Sequence, residues 1–126
     1  MPERFTRTYE VIFKTSLPPS LNRIYRVYRG HLAKTREAKN FQALVAGEVG
    51  KLPYDLDSVR DVSLELHAVY PTKKRPDIDN ILKVFLDALQ GVLYKNDRNI
   101  TSLFVDISKG NVPGIYAKAV ITVEEG

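Results

Sequence analysis

Between Ile78 and Leu93 the apolar residues Ile81, Leu82, Phe85, Leu86, Ala88, Leu89 and Val92 recur at about 100° per residue, so this segment must lay one helical face against a core. The rest of the chain has to supply that core. A second helical period runs from Thr35 to about Leu52 through Ala38, Phe41, Gln42, Leu44, Val45, Glu48 and Val49, with Thr35 placed to cap it and Glu37 near its positive end. Four segments read as strands, being β-branched, aromatic or alternating with period two: Tyr9 to Lys14, Val62 to Tyr70, Asn99 to Lys109 and Ile115 to Glu124. Pro18 and Pro19 stop the first, because proline has no N–H to give a ladder. Gly110-Asn111-Val112-Pro113-Gly114 has the composition of a hairpin loop and predicts a hairpin between the last two strands.

The order is strand, basic loop, helix, strand, helix, strand, strand. It predicts a single α+β domain over residues 1–126, with two main helices against one sheet. A chain of 126 residues with 44% hydrophobic content is long and apolar enough for one such core. The absence of cysteine excludes a disulfide scaffold, a thiolate metal site and a cysteine nucleophile together. Met1 to Phe5 has no apolar signal core, and no stretch approaches the roughly 20 apolar residues that span a bilayer, so a cytoplasmic protein without membrane contact is expected.

Net charge is +4, and its distribution says more than its size. Residues 1–50 hold nine Lys/Arg against four Asp/Glu, whereas residues 51–126 hold ten against eleven. The segment from Asn22 to Leu32 sets arginines among tyrosines around Gly30, which fits an exposed loop or irregular hairpin. A basic surface of that kind suits a polyanionic partner, although a solvated face has the same composition.

The densest chemistry lies in Arg75-Pro76-Asp77-Ile78-Asp79-Asn80-Ile81-Leu82-Lys83. Pro76 holds Arg75 extended, so Asp77 falls where loop becomes helix and Asp79 follows within the first turn. Asp79, Lys83, Asp87 and Gln90 share one polar stripe, because a step of four residues advances only about 40°. The same residues also read as an N-cap and surface i,i+4 pairs. A calcium loop does not fit, since Ile81 stands where an oxygen ligand is needed. A third carboxylate, Asp97, sits in the turn after the helix; if the three converge, hard oxygen donors with room for water suit Mg²⁺ or Mn²⁺. His31 and His67 have no second histidine or acid at ligand spacing and read as structural.

Taken together, Pro18-Pro19-Ser20-x-Asn22-Arg23-x-Tyr25-Arg26, Arg29-Gly30, Asp77-x-Asp79-Asn80-x-x-Lys83, Asp87-Ala88-Leu89 and Asp97 with its following pair of strands resemble the RusA family of Holliday junction resolvases. The resemblance implies a RusA-like mixed sheet with two helices, and a bacterial or prophage homodimer that nicks four-way DNA junctions symmetrically with Mg²⁺, Mn²⁺ being an alternative. It implies that Asp77, Asp79 and Asp97 are catalytic metal ligands and that Lys83 is the catalytic lysine. Asn22, Arg23, Tyr25, Arg26, Arg29, Lys73, Lys74, Arg75 and Asn80 are then expected to contact branched DNA, with no small-molecule cofactor. Two departures stand out: the last motif often carries adjacent acids where this chain has Asn96-Asp97, and Pro76 moves the nearest arginine back to Arg75. The alternatives are a nucleic-acid-binding module without catalysis and a nuclease retuned to forks or flaps.

Overall fold

The computed structural model describes residues 5–20, 25–28 and 31–125, with 25–28 and 31–33 described as backbone alone. Strands β1 (Phe5–Thr15), β4 (Val59–Tyr70), β5 (Ile100–Lys109) and β6 (Gly114–Glu125) form one mixed sheet in the order β1-β6-β4-β5. Strands β2 (Tyr25–Tyr28) and β3 (His31–Lys34) form a separate antiparallel ribbon, so the irregular hairpin expected near Asn22 to Leu32 is present. Helices α1 (Arg36–Val49) and α2 (Ile78–Leu89) complete the α+β architecture.

Local chemistry sets the helix limits. The Thr35 hydroxyl accepts from the Ala38 N–H at 3.3 Å, and α1 ends where Gly50 takes φ 73° and donates to the Ala46 carbonyl. Helix α2 ends at Leu89, four residues before Leu93, with Gln90 as its C-cap, because Gly91 takes φ 84° and turns the chain. Leu93 and Tyr94 stay buried in that turn, where the Tyr94 hydroxyl donates to the Leu86 carbonyl at 2.7 Å and the Tyr54 hydroxyl to the Leu93 carbonyl at 3.0 Å. Burial pushes the Tyr54 phenol up to about 12, so both hydroxyls remain donors at any ordinary pH.

One face of the sheet carries the core. Leu64, Leu66 and Ala68 of β4 and Ala117, Ala119 and Ile121 of β6 point inward, against Phe41 and Val45 of α1 and Ile81, Phe85, Ala88 and Leu89 of α2. Phe85 is the hub, its ring 6.3 Å from those of both Phe13 and Phe41.

The expected hairpin between the last two strands does not form. β5 pairs in parallel with β4, while β6 inserts between β4 and β1 and is antiparallel to both. The central position lets β6 bury alternate residues along its length, which an outer place beside β5 would not. Residues 110–113 therefore carry the chain across the end of β4. Gly114 begins β6 where a Cβ would lie 2.9 Å from the Thr15 carbonyl oxygen.

On the uncovered face, His67 Nδ1 lies 2.8 Å from Asp106 and Nε2 lies 3.4 Å from Glu65. The hydrogen bond to Asp106 is the main cause that raises the imidazole above 6.5, with a smaller contribution from Glu65. His67 thus contributes stability that is full below 6.5 and is lost as pH rises through the higher folded value. Urea unfolding of His67→Gln beside the parent should show a destabilisation at acidic pH that vanishes at alkaline pH. In the core, Phe85→Ala should cost about 3–5 kcal/mol in the same experiment.

Candidate active site

Asp77 caps α2 with extended backbone (φ −63°, ψ 151°), and its carbonyl accepts from the N–H groups of Asn80 and Ile81, each at 3.1 Å. Its carboxylate makes no capping bond. The expected N-cap is therefore a backbone cap, and the side chain is left for other work. Asp79 follows in the first turn and Lys83 one turn on, all three exposed. The i,i+4 pairs that could have explained these residues are not made: among the described residues no ion pair involves Asp79 or Lys83, and Asp87 pairs instead with Lys34 at 3.2 Å. That pair ties the end of β3 to α2.

The amino-terminal motif meets the same helix start. Pro18, Pro19, Ser20, Tyr70, Pro76, Asn80 and Ile81 line a small cleft beneath the acidic turn. The Tyr70 hydroxyl is buried and has no hydrogen-bond partner among the described residues. Burial raises its pKa, Arg75 opposing. No motif in the sequence marked Tyr70; its only signal was its place as the last apolar residue of a strand. Lys73, Lys74 and Arg75 are exposed in the adjoining loop, where Arg75 donates to the Pro76 carbonyl at 3.0 Å.

Asp97 is not brought to this end of the molecule. It opens a 3₁₀ turn (Asp97–Asn99) beyond the far end of α2, a helix of 12 residues and so about 18 Å long. Because β5 runs parallel to β4, its first residues lie beside the start of β4, and Asn99 Nδ2 donates to the Val59 carbonyl at 3.4 Å. Asn96 is engaged locally, accepting from the Arg98 N–H at 3.0 Å, so this amide serves as a cap. Lys95 pairs with Asp57 at 2.6 Å at this same end and holds the Asp57 carboxyl below its ordinary range. Among the described residues no three His, Asp or Glu side chains gather as a metal site. An open depression of about 590 Å³ lined by Leu52, Pro53, Tyr54, Asp55, Ser58, Glu124 and Glu125 also lies away from Asp77.

Of the expected DNA contacts, Asn22, Arg23 and Arg29 lie outside the described residues, and Tyr25 and Arg26 are described by backbone in β2. The ribbon that carries the last two is held near α2 by the Lys34–Asp87 pair. No helix among the described residues is long and apolar enough to cross a membrane.

Fold and site define a small α+β protein that presents paired hard-oxygen donors and neighbouring cations at the start of a crossover helix. The profile of the family described as endodeoxyribonuclease RusA matches residues 15–122, and the chain belongs to that family. It is 32% identical over 72 residues to the crossover junction endodeoxyribonuclease RusA of Escherichia coli strain K12 and to that of enterobacteria phage 82, and 31% identical to that of Shigella sonnei. Each match covers 57% of this chain and 60% of the relative, so the chain spans about three fifths of the length of these proteins.

Tyr70→Phe removes a buried hydroxyl that has no protein partner, so unfolding stability should stay within about 0.5 kcal/mol of the parent or rise. A loss above about 1 kcal/mol in urea would reveal a bound water or another group in the cleft.

Proposed function

We propose that this protein is a metal-dependent, structure-selective endodeoxyribonuclease that resolves four-way DNA junctions by paired symmetric nicks in recombination and repair. What carries the reading is one observation: in a chain of the RusA family, Asp77 and Asp79 stand exposed at one helix start, and among the described residues neither carboxylate is claimed by a cap or an ion pair.

Such donors fit Mg²⁺ or Mn²⁺, since hard cations take carboxylates and keep several waters. When bound, Mg²⁺ supplies polarisation of the scissile phosphate and a more acidic water. Asp77 and Asp79 would hold it. Lys83, a compact cation one turn on, faces negative charge gathering on the phosphate and the leaving oxygen. Lys73, Lys74, Arg75 and the arginines near the β2–β3 ribbon bind backbone phosphates on either side, and Asn80 and Tyr25 add polar and stacking contacts. Asp97, a helix length away in its own chain, would complete the ligand set from a second copy. A homodimer follows independently from the substrate, because two matched nicks in a two-fold junction call for two sites related by a two-fold axis.

The test is cleavage of a labelled four-way junction beside a linear duplex of the same arms, in Mg²⁺ or in EDTA. Paired nicks in the junction alone, abolished by EDTA and reduced at least about 100-fold in Asp79→Asn, are expected. Tight junction binding with no cleavage in Mg²⁺ or Mn²⁺ would make the protein a non-catalytic binder, and faster cutting of forks or flaps would change the substrate. Mixing inactive Asp79→Asn and Asp97→Asn subunits separates the two arrangements of the acids. A site shared between chains regains one intact centre per mixed dimer and nicks one strand; a site within one chain regains none.

A further inference from the structure

The β2–β3 ribbon stands apart from the main sheet, with no ladder to any of its strands among the described residues. A two-stranded ribbon is marginal alone in water, so something must hold it. Its last residue, Lys34, is followed directly by Thr35, the cap of α1, which leaves one short joint between ribbon and helix. At that joint Lys34 Nζ lies 3.2 Å from the Asp87 carboxylate of α2, with the two side chains 38% and 31% exposed. Lys34 also lines a narrow groove between the helices, beside Ala38 and Phe41 of α1 and Val84 and Ala88 of α2, where its apolar stem has a surface to cover. Further along the same seam the Gln42 amide donates to the Gln90 carbonyl at 2.9 Å and ties α1 to α2 a second time. The polar stripe of α2 is therefore divided: Asp87 is engaged with the ribbon, while Asp79 and Lys83 make no ion pair among the described residues.

We propose that Lys34 and Asp87 are positioning residues: their ion pair clamps the base of the ribbon onto α2 and sets where the ribbon meets a DNA strand running past Asp79 and Lys83. Antiparallel register puts Tyr25 opposite Lys34 and Arg26 opposite Ala33, so the clamp fixes the backbone of two expected DNA contacts. Asp87 lies two helical turns beyond Asp79, about 12 Å along the axis, which is the rise of roughly three to four nucleotides of one strand. The pair also answers a charge problem, because an Asp87 without a cation on that stripe would repel the same strand. The inference rests on the reading of branched DNA as the substrate, and it assigns the Lys34 charge to the protein's own acid instead of to a phosphate.

The sign of one substitution separates the clamp from plain electrostatics. If Asp87 only repels phosphates, removing its charge tightens binding. If it clamps the ribbon, Asp87→Asn should weaken binding of a labelled four-way junction about three- to fivefold. The loss should fall on KM and leave kcat at saturating junction unchanged, since the acids and Lys83 are untouched. Lys34→Met should show the same loss with an unchanged slope of log affinity against log salt, whereas a lysine bound to phosphate would lower that slope by about one. Lys34→Glu combined with Asp87→Lys rebuilds the pair and should recover most of the affinity that Lys34→Glu alone loses. Hydrogen exchange tests the clamp without DNA: amides of residues 25–28 and 31–34 should exchange about three- to fivefold faster in Asp87→Asn, with those of Val84 and Phe85 unchanged. Tighter junction binding by Asp87→Asn, a slope that falls in Lys34→Met, or ribbon exchange that does not change would each overturn the proposal. A parent that binds no junction would reject the activity proposed above, and exchange alone would then decide the clamp.

Discussion

Parallel strands cannot be joined by a tight turn, and the pairing of β5 with β4 therefore demands a crossover that returns the chain to its starting end. Helix α2 is that crossover, and its length fixes the geometry of everything chemical in the molecule. Its first turn lies at the end of β4 and carries Asp77 and Asp79; its last residues and the turn that follows lie at the start of β4 and carry Asp97. The same pairing leaves the far edge of β5 open and puts β6 in the middle of the sheet, where it is hydrogen-bonded on both sides.

The stability of this arrangement comes from residues that the proposed chemistry does not use. Phe85 links the two helices to the sheet through Phe13 and Phe41, and Tyr54 and Tyr94 close the far end with buried hydrogen bonds to backbone carbonyls. The acids and the lysine are exposed and take no part in the core. A like-charged pair such as Asp77 and Asp79 can stand together at low cost there, because water screens them and the helix start favours negative charge.

Asn96 shows how one position can serve structure where chemistry was expected. Its side chain caps the short turn that Asp97 opens and is held in a reciprocal bond with Asn99, which in turn reaches Val59. An acid there would keep the capping oxygens but add charge beside Asp97, so the amide orients the turn without that repulsion. At the other end of α2, the exposed cations of residues 73–75 stand in the loop before the acids.

Much of this was legible along the chain. The period of Ile81, Phe85 and Leu89 marked α2, Thr35 marked the start of α1, and the alternation of Val62 to Tyr70 marked β4, because helix caps and side-chain periodicity are set by neighbours a few residues away. The motif around Asp77 placed the acids at a helix start for the same reason. What lay beyond the sequence was pairing. Gly110 to Gly114 read as a hairpin loop, yet the strands it joins are separated by β4, and Tyr70 gave no sign that its hydroxyl would be buried beside Pro18, Pro19 and Asn80. Strand order is chosen by which arrangement buries the most alternating apolar surface while satisfying every ladder, a condition on the whole chain at once. Local chemistry thus determined what the residues at each site are, and only the tertiary pairing decided that Asp97 stands a helix length from the acids whose motif it shares.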